Sequence, residues 1–186
     1  SAPVPVVRQR RTTSMLGGAA NVARNLSAVG GRVDLVGIIG QDHAGKQIKN
    51  ILKSMKINHR GVIADDGRPT IIKTSIWAHG QQLLRLDVEE PNHPPNELQE
   101  RLVTAINELG SRADAIILSD YAKGTLTPTV IQAAATVARE RSIPLVVDPK
   151  SSDFRHYRGA DYLTPNLKEA SAAAGKPLTG DAMIET

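Results

Sequence analysis

The sequence contains no cysteine and few aromatic residues, and these shortages exclude several kinds of protein. A 186-residue chain without cysteine has neither disulfide bonds nor thiolate zinc sites, which favours a reducing compartment, so the cytoplasm is the expected location. One tryptophan, three tyrosines and one phenylalanine are too few for the stacking platform of a single-strand nucleic-acid binder. No apolar run reaches the ~18 residues of a membrane span, and no apolar stretch follows the N-terminal arginines as in a secretory signal. We expect neither nucleic acid nor a membrane as a partner.

The charge balance favours a small anionic partner. The chain is 40% hydrophobic and 23% charged, which is typical of a globular protein, and its net charge of +4 is mild and spread along the sequence. A basic pocket for a phosphorylated metabolite fits this distribution better than a groove for a nucleic-acid backbone. The five histidines show no metal-ligand spacing, so the sequence predicts no histidine metal site.

The second half of the chain has the pattern of an α/β protein. Short β-branched runs alternate there with amphipathic stretches, which predicts helices over 97–109, 128–141 and 167–174 and strands over 115–118, 145–147 and 162–163. Such alternation implies a parallel sheet covered by helices on both faces. Ligands then bind at the carboxyl ends of the strands.

The middle of the chain has a different pattern, with closely spaced strands and glycine turns. Turn signals at residues 65–67 and at Gly80 separate β-rich runs, which predicts hairpins in a small sheet of their own. Alternating valines and prolines near the N-terminus suggest an edge strand. We therefore expect lid-type strands over about 2–14 and 58–90, and an α/β core over 15–57 and 91–186.

A glycine pair followed by an asparagine opens the first predicted helix, which covers residues 19–29. Glycines allow a backbone to approach a ligand closely, and the free N–H groups of a helix start favour an anionic or hydroxylated partner. The pattern alone fits equally well a helix with glycine stops at both ends. The residues concerned are Gly17, Gly18 and Asn21.

Three polar loops follow the predicted strands of the second half. The first, 119–124, contains Asp120 and Lys123, and the second is Asp148-Pro149-Lys150. On position alone, these residues fit either an ordinary connecting loop or a site that orders a phosphate or a sugar. In the third loop, Asn166 and Glu169 have the spacing of a helix capping box, which explains them without any ligand.

The stretch from residue 17 to residue 45 resembles the first signature of the PfkB (ribokinase-like) carbohydrate kinases. It contains two glycine pairs, the asparagine between them, and an apolar strand that ends at Gly40-Gln41-Asp42. The resemblance implies an α/β ribokinase-like fold, with a mainly parallel sheet between helices and a small β lid. It also implies ATP and Mg²⁺ as cofactors, and sugar hydroxyls held by Gly17, Gly18 and Asn21.

The third polar loop resembles the Asn-x-x-Glu stretch that orders Mg²⁺ and the ATP phosphates through water in PfkB kinases. The resemblance implies a water-mediated Mg²⁺ site at Asn166 and Glu169, as Mg²⁺ commonly retains several waters. The ATP-binding residues implied in this way are Lys150, Asn166, Leu167, Lys168 and Glu169.

Within that family, the chain looks most like the D-glycero-D-manno-heptose 7-phosphate kinases. The stretches that carry this narrower resemblance are 2–7, 81–87, 119–124 and 148–150 with 157–160. It implies phosphorylation of the anomeric hydroxyl of a heptose 7-phosphate on the way to ADP-heptose and the lipopolysaccharide core, often in a protein that also carries an adenylyltransferase. Arg85 and Lys123 become candidates for the sugar 7-phosphate, and Asp120 for another substrate contact.

The chain departs from the family in one respect that bears on catalysis. PfkB kinases carry a later Gly-Ala-Gly-Asp stretch with the general base, and these 186 residues do not contain it. Thr179-Gly180-Asp181 lacks the preceding Gly-Ala and fits a polar loop. We expect an internal piece of the kinase domain, without a catalytic residue and inactive alone, that pairs into a homodimer through the lid strands.

Two alternatives remain open from the sequence. The missing base allows a non-catalytic sugar-phosphate binding or regulatory fragment, and the motifs also allow a PfkB kinase for another sugar. A dinucleotide-dependent oxidoreductase is disfavoured because no G-x-G-x-x-G stretch follows a first strand.

Overall fold

The computed structural model describes residues 8–90 and 92–178, in which helices and strands alternate. The described α-helices are α1 (Gly18–Ala28), α2 (His43–Ser54), α3 (Asn96–Gly110), α4 (Pro128–Arg141) and α5 (Leu167–Ala174). The strands are β1 (Asp34–Gly40), β2 (Asn58–Asp65), β3 (Ile72–Ala78), β4 (Gln81–Val88), β5 (Ile116–Ser119), β6 (Leu145–Asp148) and β7 (Tyr162–Leu163). A 3₁₀ helix spans Phe154–Tyr157.

The α/β part contains two groups of parallel strands. β5, β6 and β7 are neighbours in that order, with Leu118 opposite Val147 and Val147 opposite Leu163. β1 and β2 form a second parallel pair, in which Ile38 lies opposite Ile63. The predicted α/β class with mainly parallel strands is confirmed.

The assignment of residues 58–65 to the lid is wrong. β2 pairs in parallel with β1 and packs beneath α3, so it belongs to the α/β core. The physical reason is its burial: Gly61, Val62 and Ile63 are buried consecutively, as in a strand covered on both faces, whereas a lid strand would alternate. Of the predicted lid strands within the described residues, β3 and β4 form an antiparallel hairpin.

Two hydrophobic clusters hold these strands in place. In the larger cluster α3 and α4 pack over β5 and β6, with Leu102, Ala134 and Val147 fully buried. The smaller cluster joins α1 and α2 to β1 and β2 around the fully buried Leu52. Both clusters hold the carboxyl ends of the core strands in fixed positions, and the polar loops begin there.

The β3–β4 hairpin differs from the core in having one uncovered apolar face. Cross-strand pairing places Ile72 beside Val88 and Ile76 beside Leu84, so their side chains share a face with Leu86. Leu84 is 55% exposed and Leu86 is 56% exposed. The other face carries the charged residues of the hairpin.

The N-terminal strand predicted over about 2–14 is not found where the structure describes that stretch. Residues 8–16 form neither helix nor strand, and residues 2–7 lie outside the described part of the chain. Arg8, Arg10 and Arg11 interrupt the apolar alternation that a half-buried strand requires, which explains the difference. Among the described helices, none has both the length and the apolar character needed to cross a bilayer.

Candidate functional site

The first glycine pair lies where α1 begins, as the sequence predicts. Gly17 is the extended residue before the helix and has no side chain to cap it, which leaves the first-turn N–H groups available. Gly18 has φ of +53°, in the left-handed region that favours glycine. A methyl group on Gly18 would lie 3.7 Å from Tyr121 Cδ2, so the start of α1 is close to the loop after β5.

The second half of the same signature forms a lock that joins α2 to the strand leading into the lid. Asp42 caps α2 by accepting from Gly45 N at 2.8 Å, and it also accepts from Thr70 N at 2.8 Å and from Thr70 Oγ1 at 2.7 Å. Thr70 is 3% exposed, and its Oγ1 accepts from Gly40 N at 2.9 Å. Burial acts against ionisation of Asp42, yet the hydrogen bonds from Thr70 and Gly45 outweigh it and lower its pKa. These signature residues therefore have a structural role.

The loop after β5 holds Asp120 in one orientation. Asp120 Oδ1 accepts from Ala122 N at 2.7 Å, and Oδ2 accepts from the Tyr157 hydroxyl at 2.5 Å. Its backbone N–H donates to the Asp148 carbonyl oxygen at 2.9 Å, which ties the loop to the end of β6. The neighbouring Ser119 Oγ is buried and has no hydrogen-bond partner within the described chain.

Ion pairs connect this loop with the lid hairpin. Lys123 Nζ lies 2.7 Å from Glu89 Oε1, and Lys73 Nζ lies 3.2 Å from Glu89 Oε2 and 2.8 Å from Asp87 Oδ2. Arg85, which is largely exposed, donates from Nε and from a terminal nitrogen to its strand neighbour Asp87 at 3.0 and 3.1 Å. Lys123 and Lys73 lower the pKa of Glu89, and Lys73 and Arg85 lower the pKa of Asp87. Both predicted phosphate-binding residues are thus neutralised by carboxylates.

One open cleft collects part of the predicted sugar site. Its lining includes Gly17, Gly18, Asp120 and Lys123, together with Lys73 from the hairpin. Asn21 and Arg85 do not line it. The structure therefore brings the glycine pair and the β5 loop together. Asn21 lies one turn further along α1, where its backbone N–H donates to the Gly17 carbonyl oxygen at 3.3 Å, and Arg85 lies on β4.

The predicted nucleotide residues meet at the ends of β6 and β7. Asn166 and Glu169 form a complete capping box: Glu169 N donates to Asn166 Oδ1 and Asn166 N donates to Glu169 Oε2, each at 3.0 Å. Lys150 Nζ lies 3.5 Å from Glu169 Oε1. Leu167 and Lys168 are exposed in the first turn of α5. The capping explanation of the Asn-x-x-Glu spacing is confirmed, and the predicted ATP and Mg²⁺ contacts stay predictions.

Three carboxylates lie close together where β5, β6 and β7 end: Asp120, Asp148 and Glu169. Burial raises the pKa of Asp148, and the carboxylates of Glu169 and Asp120 raise it further, while Lys150 acts in the opposite direction. Among the described residues, no three His, Cys, Asp or Glu side chains are grouped so that they could bind a metal ion directly. A hydrated Mg²⁺ fits this arrangement, since it needs only one or two carboxylates and would relieve their repulsion.

Sequence reasoning missed Tyr157, Lys73 and Glu89 as site residues. Tyr157 is 3% exposed and reaches Asp120 from a distant part of the chain, so no local pattern could reveal the contact. The alternating charges of residues 85, 87 and 89 were the available signal for the lid ion pairs. The Thr179-Gly180-Asp181 stretch lies outside the described residues.

Comparison with known proteins shows the family of this fold. A sequence profile described as pfkB family carbohydrate kinase matches residues 2–185. Two similar relatives, each named Bifunctional protein HldE, come from Geobacter metallireducens and Haemophilus influenzae. The first is 43% identical over 183 residues, covering 98% of this chain and 37% of the relative. The second is 43% identical over 186 residues, covering 99% of this chain and 38% of the relative. The chain thus spans well under half of these curated relatives.

Solved structures share the fold at lower identity. A carbohydrate kinase from Agrobacterium tumefaciens superposes with a TM-score of 0.73 at 23% identity, covering 94% of this chain and 57% of that one. A structure of Arabidopsis thaliana ribokinase, solved with ribose and ATP, gives a TM-score of 0.65 at 17% identity, covering 89% and 54%. The predicted ribokinase-like fold is confirmed.

Proposed function

This chain belongs to the pfkB family of carbohydrate kinases, and we propose that it binds sugar and ATP in a kinase for D-glycero-D-manno-heptose 7-phosphate. The reaction transfers the γ-phosphoryl group of ATP to the anomeric hydroxyl and yields the 1,7-bisphosphate for ADP-heptose and lipopolysaccharide core synthesis. The HldE relatives at 43% identity support this substrate. A cytoplasmic location is part of the proposal, in keeping with the ATP requirement and the absence of cysteine.

The observation that carries the proposal is the convergence of the α1 start, the β5 loop and the hairpin residue Lys73 on one cleft. Gly17 and Gly18 present free backbone N–H groups there, and Asp120 offers an oriented carboxylate beside them. A sugar hydroxyl needs such donors and acceptors. Lys123 and Lys73 lie at the same cleft and supply the positive charge that a sugar phosphate requires.

Binding of a sugar phosphate involves an exchange of ion pairs in this proposal. Lys123 is held by Glu89, so the substrate phosphate competes with that carboxylate for the lysine. Arg85 is held by Asp87 on the exposed hairpin, and it reaches the phosphate only if the hairpin moves toward the cleft. A neutral sugar cannot replace Glu89 in this way, and the exchange therefore favours the phosphorylated substrate.

The nucleotide side uses the ends of β6 and β7. Glu169 and Asn166 would hold Mg²⁺ through water, and Lys150, Leu167 and Lys168 would contact ATP. When bound, the ion would supply positive charge beside the transferred phosphoryl group. The general base belongs to the Gly-Ala-Gly-Asp stretch of the family, which these 186 residues do not contain. Catalysis otherwise depends on positioning and on electrostatic stabilisation.

The decisive experiment measures ADP release by the complete product of the gene that encodes this chain. Mg²⁺–ATP is supplied with heptose 7-phosphate, with the unphosphorylated heptose, or with fructose 6-phosphate. We expect the highest kcat/KM for heptose 7-phosphate, and a preference for fructose 6-phosphate would assign a different sugar. The 186 residues alone should release no ADP, because a general base supplies roughly 10²–10⁴-fold. Sugar-dependent turnover by this chain alone would show that its catalytic residues are misassigned.

The proposed sugar contact of Asn21 has a matched control on the same helix. Asn21→Ala should lower kcat/KM for the sugar. If it removes a buried hydrogen bond, the decrease should correspond to a loss of about 1–3 kcal/mol of transition-state stabilisation. Asn25→Ala removes the same side chain one turn later, at an exposed position, and should have no effect. Equal kinetics for the two variants would remove Asn21 from the site.

We further propose that two copies pair through the apolar face of the hairpin. Leu84 and Leu86 are more than half exposed there, and a second copy would cover them. Leu86→Gln should convert a dimer into a monomer in sedimentation velocity. Ser75→Gln places the same side chain on the opposite face and should leave the dimer intact. A monomeric wild-type protein would reject the pairing.

A further inference from the structure

Tyr157 places a buried hydroxyl between the two halves of the proposed site. It ends the 3₁₀ helix, and its ring is 3% exposed within the larger hydrophobic cluster. The hydroxyl donates to Asp120 Oδ2 at 2.5 Å. It accepts from Lys150 N at 3.3 Å and from Ser151 N at 3.2 Å. One phenol therefore contacts the loop after β5 and the loop after β6.

With these contacts each carboxylate oxygen of Asp120 has one hydrogen-bond donor. Oδ1 accepts from Ala122 N, and Oδ2 accepts from the Tyr157 hydroxyl. Burial and the adjacent Asp120 carboxylate raise the pKa of Tyr157, and the hydroxyl therefore stays protonated and donates at neutral pH. The backbone N–H groups of Lys150 and Ser151 point at the same oxygen, which fixes the loop that carries the Lys150 side chain.

We propose that Tyr157 is a positioning residue that couples the sugar-side loop at Asp120 to the nucleotide-side loop at Lys150. This inference rests on the proposed function, in which the two loops bind the two substrates. Without the hydroxyl, Asp120 loses one of its two donors, and the Lys150 loop loses its common acceptor. A change at Asp120 then reaches the Lys150 loop through the Tyr157 hydroxyl, in addition to the backbone hydrogen bond from Asp120 N to the Asp148 carbonyl oxygen.

The coupling predicts that removing one hydroxyl affects both ligands. Tyr157→Phe keeps the ring in the core and should weaken ATP binding and raise the sugar KM, each by about tenfold, the scale of a hydrogen bond to a charged group. Asp120→Asn should also weaken ATP binding. The double variant should bind ATP no more weakly than the weaker single variant, because both changes break the same link.

The experiment uses the complete gene product and calorimetric titration with Mg²⁺–ATP in the absence of sugar, followed by steady-state kinetics. Tyr162→Phe is the matched control, since it removes the same hydroxyl from a tyrosine that is 63% exposed on β7. It should leave the ATP Kd and both KM values unchanged. The melting temperature of each variant is recorded, and a merely structural role would lower it for Tyr157→Phe without altering ligand affinity.

The outcomes separate the two hypotheses. Unchanged ATP affinity in Tyr157→Phe, or additive losses in the double variant, would overturn the coupling. Absence of heptose 7-phosphate turnover in the wild type would reject the proposed substrate alone, because the ATP Kd and its dependence on Tyr157 are measured without sugar. A wild-type protein that fails to bind ATP would reject both.

Discussion

The Asp42–Thr70 lock and the β3–β4 hairpin adjoin in sequence, but different forces hold them. In the lock, the Asp42 carboxylate accepts from two backbone N–H groups and from the buried Thr70 hydroxyl, so two short polar side chains and the backbone make the contacts. The ion pair that joins the hairpin to the β5 loop is made by Glu89 and Lys123, two long charged side chains that remain partly in solvent. Buried hydrogen bonds are costly to break, whereas exposed ion pairs contribute little and are screened by salt.

The difference indicates which part of the predicted lid is anchored to the core and which part is held only by exposed contacts. Its base is attached to the core by the residues of the glycine-rich signature, and the attachment point is the buried Thr70. Beyond it, β3 and β4 pair with each other, while their apolar face stays uncovered. A segment with few buried contacts and many exposed ones belongs to the least stable part of a protein, as closing lids require.

The largest expected effect comes from removing the lock. Asp42→Ala leaves Gly45 N, Thr70 N and the Thr70 hydroxyl without their acceptor and should lower the free energy of unfolding by about 3–5 kcal/mol. Asp66→Ala, at an exposed position in the nearby turn, should change it little. Urea unfolding of both variants tests this, and similar midpoints for the two would show that the lock is not the stronger region.

The lock also gives stability a defined dependence on pH. Because the pKa of Asp42 is lowered by folding, its contribution is fully present above the ordinary value of 3.8 and is lost as the pH falls through the lowered pKa. Asp42→Ala should therefore be less stable than wild type at neutral pH, and the gap should narrow below about pH 4. A constant gap down to the lowest accessible pH would contradict the assignment.

The second effect concerns the close packing of the lock. A methyl group on Gly45 would overlap the carbonyl oxygen of Gly40, and Gly45→Ala should cost about 2–3 kcal/mol although alanine favours helices. Gly37→Ala in β1 is the control, because a methyl group there meets nothing within 4 Å. A stabilised Gly45→Ala protein in thermal unfolding would mean that the backbone yields easily at this point.

The sequence predicted the elements that local signals define, but not the contacts between distant residues. The bounds of α4 and α5 were predicted without error, because Thr127 before Pro128 and Asn166 before Leu167 are local start signals. The lock was visible only as the end of the glycine-rich signature, at Gly40-Gln41-Asp42, and the sequence-based prediction gave these residues no role of their own. Its partner Thr70 lies 28 residues from Asp42, and no periodicity links the two.

Long-range contacts account for the other errors and omissions. The sequence-based prediction placed β2 in the lid because glycine turns follow it. Its parallel partner β1 is separated from it in sequence by the whole of α2, so no local pattern indicated the pairing. The Tyr157 bond to Asp120 crosses 37 residues, and the Lys123 pair with Glu89 crosses 34. Local patterns determine helix ends and strand runs, but they do not determine which side chains meet in the site.

The third effect tests Lys123 in the β5 loop and Arg85 on the hairpin as sources of phosphate specificity. Lys123→Met should reduce kcat/KM for heptose 7-phosphate about tenfold more than for the unphosphorylated sugar, as expected for a lost charge-assisted contact. Arg85→Met should act in the same direction but more weakly, because Arg85 lies outside the cleft. Steady-state kinetics on both sugars provides the measurement. Equal losses on the two sugars would assign these residues to structure.

The smallest effect is expected at Lys73, whose ammonium group pairs with Asp87 and Glu89 on the hairpin surface. Lys73→Met should leave the melting temperature close to that of wild type, and the remaining difference should vanish near 1 M salt, where the Debye length is about 3 Å. The folded state raises the pKa of Lys73, chiefly through its hydrogen bond to Asp87, so any contribution to stability is present at neutral pH and is lost only at strongly alkaline pH. A loss at neutral pH as large as that of Asp42→Ala would mean that the hairpin is held as firmly as its base, and closure of the lid would then have to move both together.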